Sequence, residues 1–209
     1  MANVQYVETR HPMLFRILHE LIMVSIILLI ITGFYIHRPF IGGAGFLMTV
    51  MRGVHFLFAF VLTVSAITRI VTMFAGKNRD WRTFIPNGRD WKILPKVINY
   101  YAYIGDEPTL TKRYNPLQMV TYCVAFVLII FQIVSGIAIF QPDGALKGFN
   151  YFLFNNEFEV RIAHFIVNWL FILIMMVHVY LTIRSKCYGI RDMHLLGGEY
   201  KETSGKESV

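Results

Sequence analysis

The sequence predicts an all-α integral membrane protein, a four-transmembrane-helix bundle, and three observations carry that expectation. The 209 residues are 56% hydrophobic and only 16% charged, a balance outside the range of soluble domains. Four apolar runs, at about 18–36, 54–73, 117–140 and 162–183, each approach the roughly 20 residues needed to cross a ~30 Å hydrocarbon core. Only a helix or a closed barrel satisfies its backbone in lipid, so runs of this length read as helices. Finally, the 20 Lys and Arg residues divide unequally: sixteen lie on one side of the spans, and Arg38, Arg52, Lys147 and Arg161 on the other. By the positive-inside rule both termini are expected in the cytoplasm, with the chain in the inner membrane. In a soluble protein the net charge of +7 would point to nucleic acid. Here it reports topology and contact with the lipid bilayer, and no nucleic-acid partner is expected.

The first run follows a polar stretch and ends in "GFYIHRPF". It is too long for a signal peptide and lacks a small-residue cleavage site, so it is expected to remain as a span. The second run, opening with "RGVHFLFAF" and closing with "TRI", returns across the membrane. A cytoplasmic segment follows at about 74–116, rich in tryptophan, tyrosine and basic residues. Within it Trp91, Leu94, Ile98 and Tyr101 recur at helical spacing, which predicts a short interfacial helix. The third and fourth runs complete the bundle, and the end of the chain, about 197–209, reads as a flexible tail. Residues 1–209 form one membrane domain without an internal repeat. The two cysteines form no C-x-x-C, which excludes covalent c-type haem, a cysteine-rich zinc site and an iron–sulfur cluster of the chain's own. Cys123 reads as an apolar filler of the third span and Cys187 as a cytoplasmic thiol.

Of seven histidines, four fall within the spans: His19, His55, His164 and His178. Ionisable groups at membrane depth are costly and usually face the bundle interior. The spans alternate in direction, so His19 and His178 share one depth, near the cytoplasm, and His55 and His164 share the other. His164 and His178 are fourteen residues apart. That is ~21 Å of rise, and rotation brings the side chain back to within ~40° of its start, so both project from one face. Two imidazoles facing across a bundle core suit a six-coordinate haem iron. Arg16, Arg52 and Arg161 each stand three residues before a histidine, in "RILH", "RGVH" and "RIAH". One turn nearer water on the same face, each can meet a haem propionate. Gly33, fourteen after His19, leaves room for a porphyrin edge at the outer depth; Arg69, fourteen after His55, falls beside the inner pair. His37 overshoots the spacing and is expected at the interface, while His11 and His194 are expected in solvent. Asn168 is expected to hydrogen-bond a neighbouring helix. Metal transport is disfavoured, because the histidines split into two-ligand sites with no cysteine or carboxylate expected at those depths to complete a tetrahedron.

The motifs "RILHELI…ITGFYI", "RGVHFLFAF…TRI", "YNPLQMVTY…SGIAIF" and "RIAHFIVNWLFILIMMVHVYLTIR" resemble the diheme cytochrome b subunit of membrane-bound nickel–iron hydrogenases. The broader family includes the cytochrome b subunits of formate dehydrogenases and thiosulfate reductases, and these remain alternatives. The shorter b561-type bacterial cytochromes share the four-helix plan but usually lack so long a segment between the second and third spans. The resemblance implies two haem b groups, each with bis-histidine iron, ligated by His19 with His178 and by His55 with His164. It implies electron transfer between a periplasm-side iron–sulfur small subunit, joined to a catalytic large subunit, and membrane quinone. In this reading the chain is an electron-transfer subunit with no catalytic residue of its own. Asn115 resembles an asparagine near the quinone in formate dehydrogenase relatives, and Glu20 could relay a proton there. The other class of function is a membrane anchor without redox chemistry.

Overall fold

The computed structural model describes residues 11–41, 45–75, 79–106, 108, 114–154, 156–184 and 193–194. Within them regular structure is entirely helical: α1 (Met13–His37), α2 (Phe46–Ala75), α3 (Trp81–Phe84), α4 (Gly88–Tyr101), α5 (Pro116–Phe140), α6 (Lys147–Phe154) and α7 (Glu157–Arg184). Among these, α1, α2, α5 and α7 are long and apolar enough to cross a membrane. The protein is an all-α membrane protein. The expected tail at 197–209 and Cys187 lie outside the described residues.

Each spanning helix outruns its apolar core, because hydropathy does not set helix ends. α2 begins at Phe46, well before the apolar run, and carries Arg52 and Gly53 as ordinary helical residues. α7 starts at Glu157 with Glu157 and Glu159 in its first turn, where carboxylates complement the helix dipole. Asn156 Oδ1 there accepts from the Glu159 amide at 3.0 Å. α5 opens with Pro116 after Asn115, and Asn115 and Gln118 accept from each other's backbone N–H in a capping box.

The surface is apolar and the interior holds small hydroxyls, as expected where lipid is the solvent. Ile31, Phe60, Val127 and Leu173 point outward, while Ser25, Thr32, Ser65, Thr121 and Ser135 are buried. The four spans form two tight pairs, α1 with α2 and α5 with α7, and the pairs approach each other far less closely. A seam therefore runs along the bundle between them. At mid-depth it is closed by Ile26, Leu62, Val167 and Phe171, with Ile22, Leu29, Leu128 and Met175 packed around. Ile26 stands seven residues after His19, Leu62 seven after His55, and Phe171 seven from both His164 and His178. Seven residues are nearly two turns, so each plug residue lies on its histidine's face and halfway to the other depth.

The helix predicted between the second and third spans is α4. Asp90, Val97 and Tyr101 are buried, whereas Trp91 and Ile98 are exposed. Asp90 is turned inward by a capping box with Asn87: its carboxylate accepts from the Asn87 amide at 2.8 Å, and Asn87 Oδ1 accepts from the Asp90 amide at 3.0 Å. Val97 and Tyr101 then pack on Leu181. Tyr101 locks this corner, since its hydroxyl accepts from Asn115 Nδ2 at 2.9 Å and its carbonyl accepts from the Tyr180 hydroxyl.

Candidate functional site

All four intramembrane histidines reach the seam, and they do so as two pairs. His19 of α1 faces His178 of α7 with ring centres 6.5 Å apart and planes inclined by 43°. A metal–imidazole bond is about 2 Å and the ring centre lies roughly 1 Å behind the nitrogen, so two rings sharing one metal stand about 6 Å apart. The observed spacing fits one iron between them. His55 of α2 and His164 of α7 form the second pair by depth, each seven residues from a member of one buried cluster, Leu62 and Phe171. Each pair joins a histidine of one helix pair to a histidine of the other.

The rings of His55 and His164 are held by the same device. Thr32 Oγ1 lies 2.8 Å from His55 Nδ1, and Ser135 Oγ lies 2.8 Å from His164 Nδ1. Each hydroxyl also donates up its own helix, Thr32 to the Leu28 carbonyl at 2.7 Å and Ser135 to the Phe131 carbonyl at 2.7 Å. A hydroxyl has one hydrogen and two lone pairs. With its hydrogen given to the carbonyl it can only accept from Nδ1–H, which leaves Nε2 bare as a metal ligand. A glycine follows each hydroxyl residue. A Cβ built on Gly33 would fall 3.6 Å from His55 Cε1, and one on Gly136 would fall 3.5 Å from His164 Cε1. Each glycine thus stands against the ring that the preceding hydroxyl holds. Gly33 was expected from its spacing at the depth of His55, beside which it stands; Gly136, Thr32 and Ser135 were not singled out, although the dipeptides Thr32-Gly33 and Ser135-Gly136 are a visible repeat.

The His19–His178 pair has different neighbours. His19 Nδ1 is buried without a hydrogen-bond partner among the described residues, and the Tyr122 ring lies 5.7 Å from His178. His194, expected in solvent, is half-buried here. It meets His19 edge-on with ring centres 5.3 Å apart, its Nδ1 lies 2.6 Å from Glu20 Oε1, and its carbonyl accepts from Arg16 at 2.5 Å. Ligand atoms of His19, Glu20 and His194 all lie within 4.8 Å of one another. The expectation that no carboxylate stands at this depth is therefore corrected: Glu20, one residue along from His19, reaches it. His11, also expected in solvent, stacks on Tyr114 with Nε2 3.2 Å from its hydroxyl.

The arginines take three different positions. Arg16 is buried and engaged with His194, whereas Arg52 and Arg161 are exposed one turn before their histidines. Arg69 forms a two-pronged pair with Asp80, at 3.1 and 2.5 Å, and lies 4.2 Å over the Phe15 ring. Its guanidinium thus ties α2 to the start of α3. Asn115 uses both polar atoms of its side chain, on Gln118 and Tyr101. His37 is exposed and lies flat on Phe165 with centres 3.8 Å apart, outside both pairs. Asn168 does not make the predicted interhelical bond: its Nδ2 is buried and has no partner among the described residues.

Comparison with known proteins adds a family match and three relatives. A family model described as prokaryotic cytochrome b561 matches residues 10–193 and so runs through the long segment between α2 and α5. The chain is similar to the probable Ni/Fe-hydrogenase B-type cytochrome subunit of Bradyrhizobium diazoefficiens, 31% identical over 186 residues covering 81% of this chain and 75% of that protein. It is also similar to the corresponding subunit of Rhizobium leguminosarum bv. viciae, 28% identical with 81% and 78% covered. The probable Ni/Fe-hydrogenase 1 B-type cytochrome subunit of Escherichia coli K12 is 27% identical over 187 residues, with 81% and 80% covered.

Proposed function

Because the chain belongs to the prokaryotic cytochrome b561 family, we propose that it is the membrane cytochrome b of a Ni/Fe-hydrogenase and passes electrons between a periplasm-side iron–sulfur small subunit, carried with the catalytic large subunit, and the quinone pool. The hydrogenase names of its relatives support that choice of partner. The observation that carries the reading is the pair of facing histidines at each end of the seam, 6.5 Å apart where the ring distance is defined. Two haem b groups are assigned, one to His19 and His178 and one to His55 and His164. When bound, haem b supplies reversible one-electron chemistry.

The chain supplies placement and surroundings. Thr32 and Ser135 hold Nδ1 of His55 and His164, which leaves Nε2 as the free nitrogen, and Gly33 stands against the ring of His55. Arg52 and Arg161 are assigned to propionates at one end; Arg16 takes that role at the other, and Arg69 stands nearby on α2. Quinone is assigned to the end where Glu20 and Asn115 lie, and Asn115 would meet it by exchanging its bond to Tyr101. Both termini are assigned to the cytoplasm and the bundle to the inner membrane. Charge moved inward across the membrane is then worth about 2.3 kcal/mol per 100 mV.

A reduced-minus-oxidised spectrum of the purified complex tests the reading. Two haem b transitions with separable midpoints are expected, and a preparation without reducible Soret and α bands would leave only a membrane anchor. Adding a quinol analogue should perturb the band of one haem; an unchanged spectrum would remove the quinone assignment.

A further inference from the structure

We infer that Thr32 and Ser135 are positioning residues that lower the reduction potential of the iron held by His55 and His164, an inference that rests on reading that pair as a haem site. The two hydroxyls sit on different helices, α1 and α5, yet they repeat one arrangement. Each gives its hydrogen to the carbonyl four residues back, each stands 2.8 Å from a histidine Nδ1, and each precedes a glycine lying against the same ring's Cε1. The bond up the helix already satisfies the hydroxyl's hydrogen. The contact with histidine is thus surplus to the needs of α1 and α5.

An imidazole whose N–H is accepted by a neighbour becomes more basic at its other nitrogen and donates more strongly to a metal. Stronger donation favours the ferric state and lowers the potential. In this site both rings of the proposed pair are held so, whereas His19 of the other pair has a buried Nδ1 with no acceptor among the described residues. Among the described residues, then, an acceptor is offered to both rings of one pair and not to His19 of the other. Each hydroxyl also belongs to the same tight helix pair as the histidine it holds, α1 with α2 and α5 with α7.

The test is a potentiometric titration of the haem α bands in the intact complex carrying Thr32→Val, Thr32→Ser, Ser135→Ala or Ser135→Thr. Thr32→Val and Ser135→Ala should each raise the midpoint of the same single haem. The expected effect is on the order of tenfold in the oxidised-to-reduced ratio at fixed potential, about 59 mV for one electron. Thr32→Ser and Ser135→Thr should restore the original value. Should Thr32→Val or Ser135→Ala lose that haem altogether, recovery of both haem and midpoint in the hydroxyl-bearing partner variant still supports the inference. Failure of the hydroxyl variants to recover would overturn it. Unchanged midpoints with full haem content, or equal shifts in both haems, would also overturn it. Absence of haem from the unmodified complex would instead remove the underlying functional reading.

Discussion

His164 and His178 sit on one face of α7 but answer to different neighbours. His164 is fixed by Ser135, while His178 packs beside Tyr122 and opposite a His19 whose Nδ1 has no partner among the described residues. His164→Ala should therefore remove one haem and leave the other, cutting pyridine-haemochrome content per polypeptide by about half. Loss of both haems from a protein that still inserts and folds would show that the sites are not independent. Asn115 offers a second measurement at this scale. Its side chain caps α5 and donates to the Tyr101 hydroxyl, so Asn115→Ala should lower stability by about 1–2 kcal/mol. A thermal shift within error would indicate that water replaces both bonds. The common face of His164 and His178 was legible because fourteen residues return a helix to its own face, and that arithmetic needs no partner. The position of His194 was not legible: its approach to Glu20 depends on how the chain folds back, which no local pattern encodes.

At the scale of elements, α7 sets the separation of the two sites, with Phe171 midway. One residue inserted after Phe171 would turn everything beyond it by about 100° and carry His178 off the seam. Such an insertion should abolish the His19–His178 haem while sparing the other, whereas Phe171→Leu should retain both, as read from the α-band spectrum. Retention of both haems in the insertion variant would mean that α7 absorbs the extra residue as a bulge. The spans themselves were legible from apolar runs, but their ends were not. Caps such as Asn156 and Asn115, and helical turns that carry Arg52 into the interface, extend them past the hydropathy signal. For α4 the helical period was visible, but its anchoring was not: the capping of Asp90 and the Tyr101–Asn115 bond bury Asp90 and Tyr101 and leave Trp91 and Ile98 exposed.

Across the whole molecule, the described basic residues gather at the end bearing Arg16, Arg69 and Arg184, with Arg38, Arg52, Lys147 and Arg161 at the other. A fluorescent protein fused after Val209 should therefore fluoresce in living cells, while one inserted at Gly144 and exported through the general secretion route should stay dark. The reverse pattern would invert the topology and place the Thr32–Ser135 end in the cytoplasm. The seam also bears on how such a protein is made. Each tight pair is tied internally, Thr32 to His55 and Ser135 to His164, so two half-proteins can mature separately in the bilayer before they meet. With haem assigned between the pairs, a cell starved of haem should accumulate protein whose pairs are formed but not joined, open to a protease that the finished protein resists.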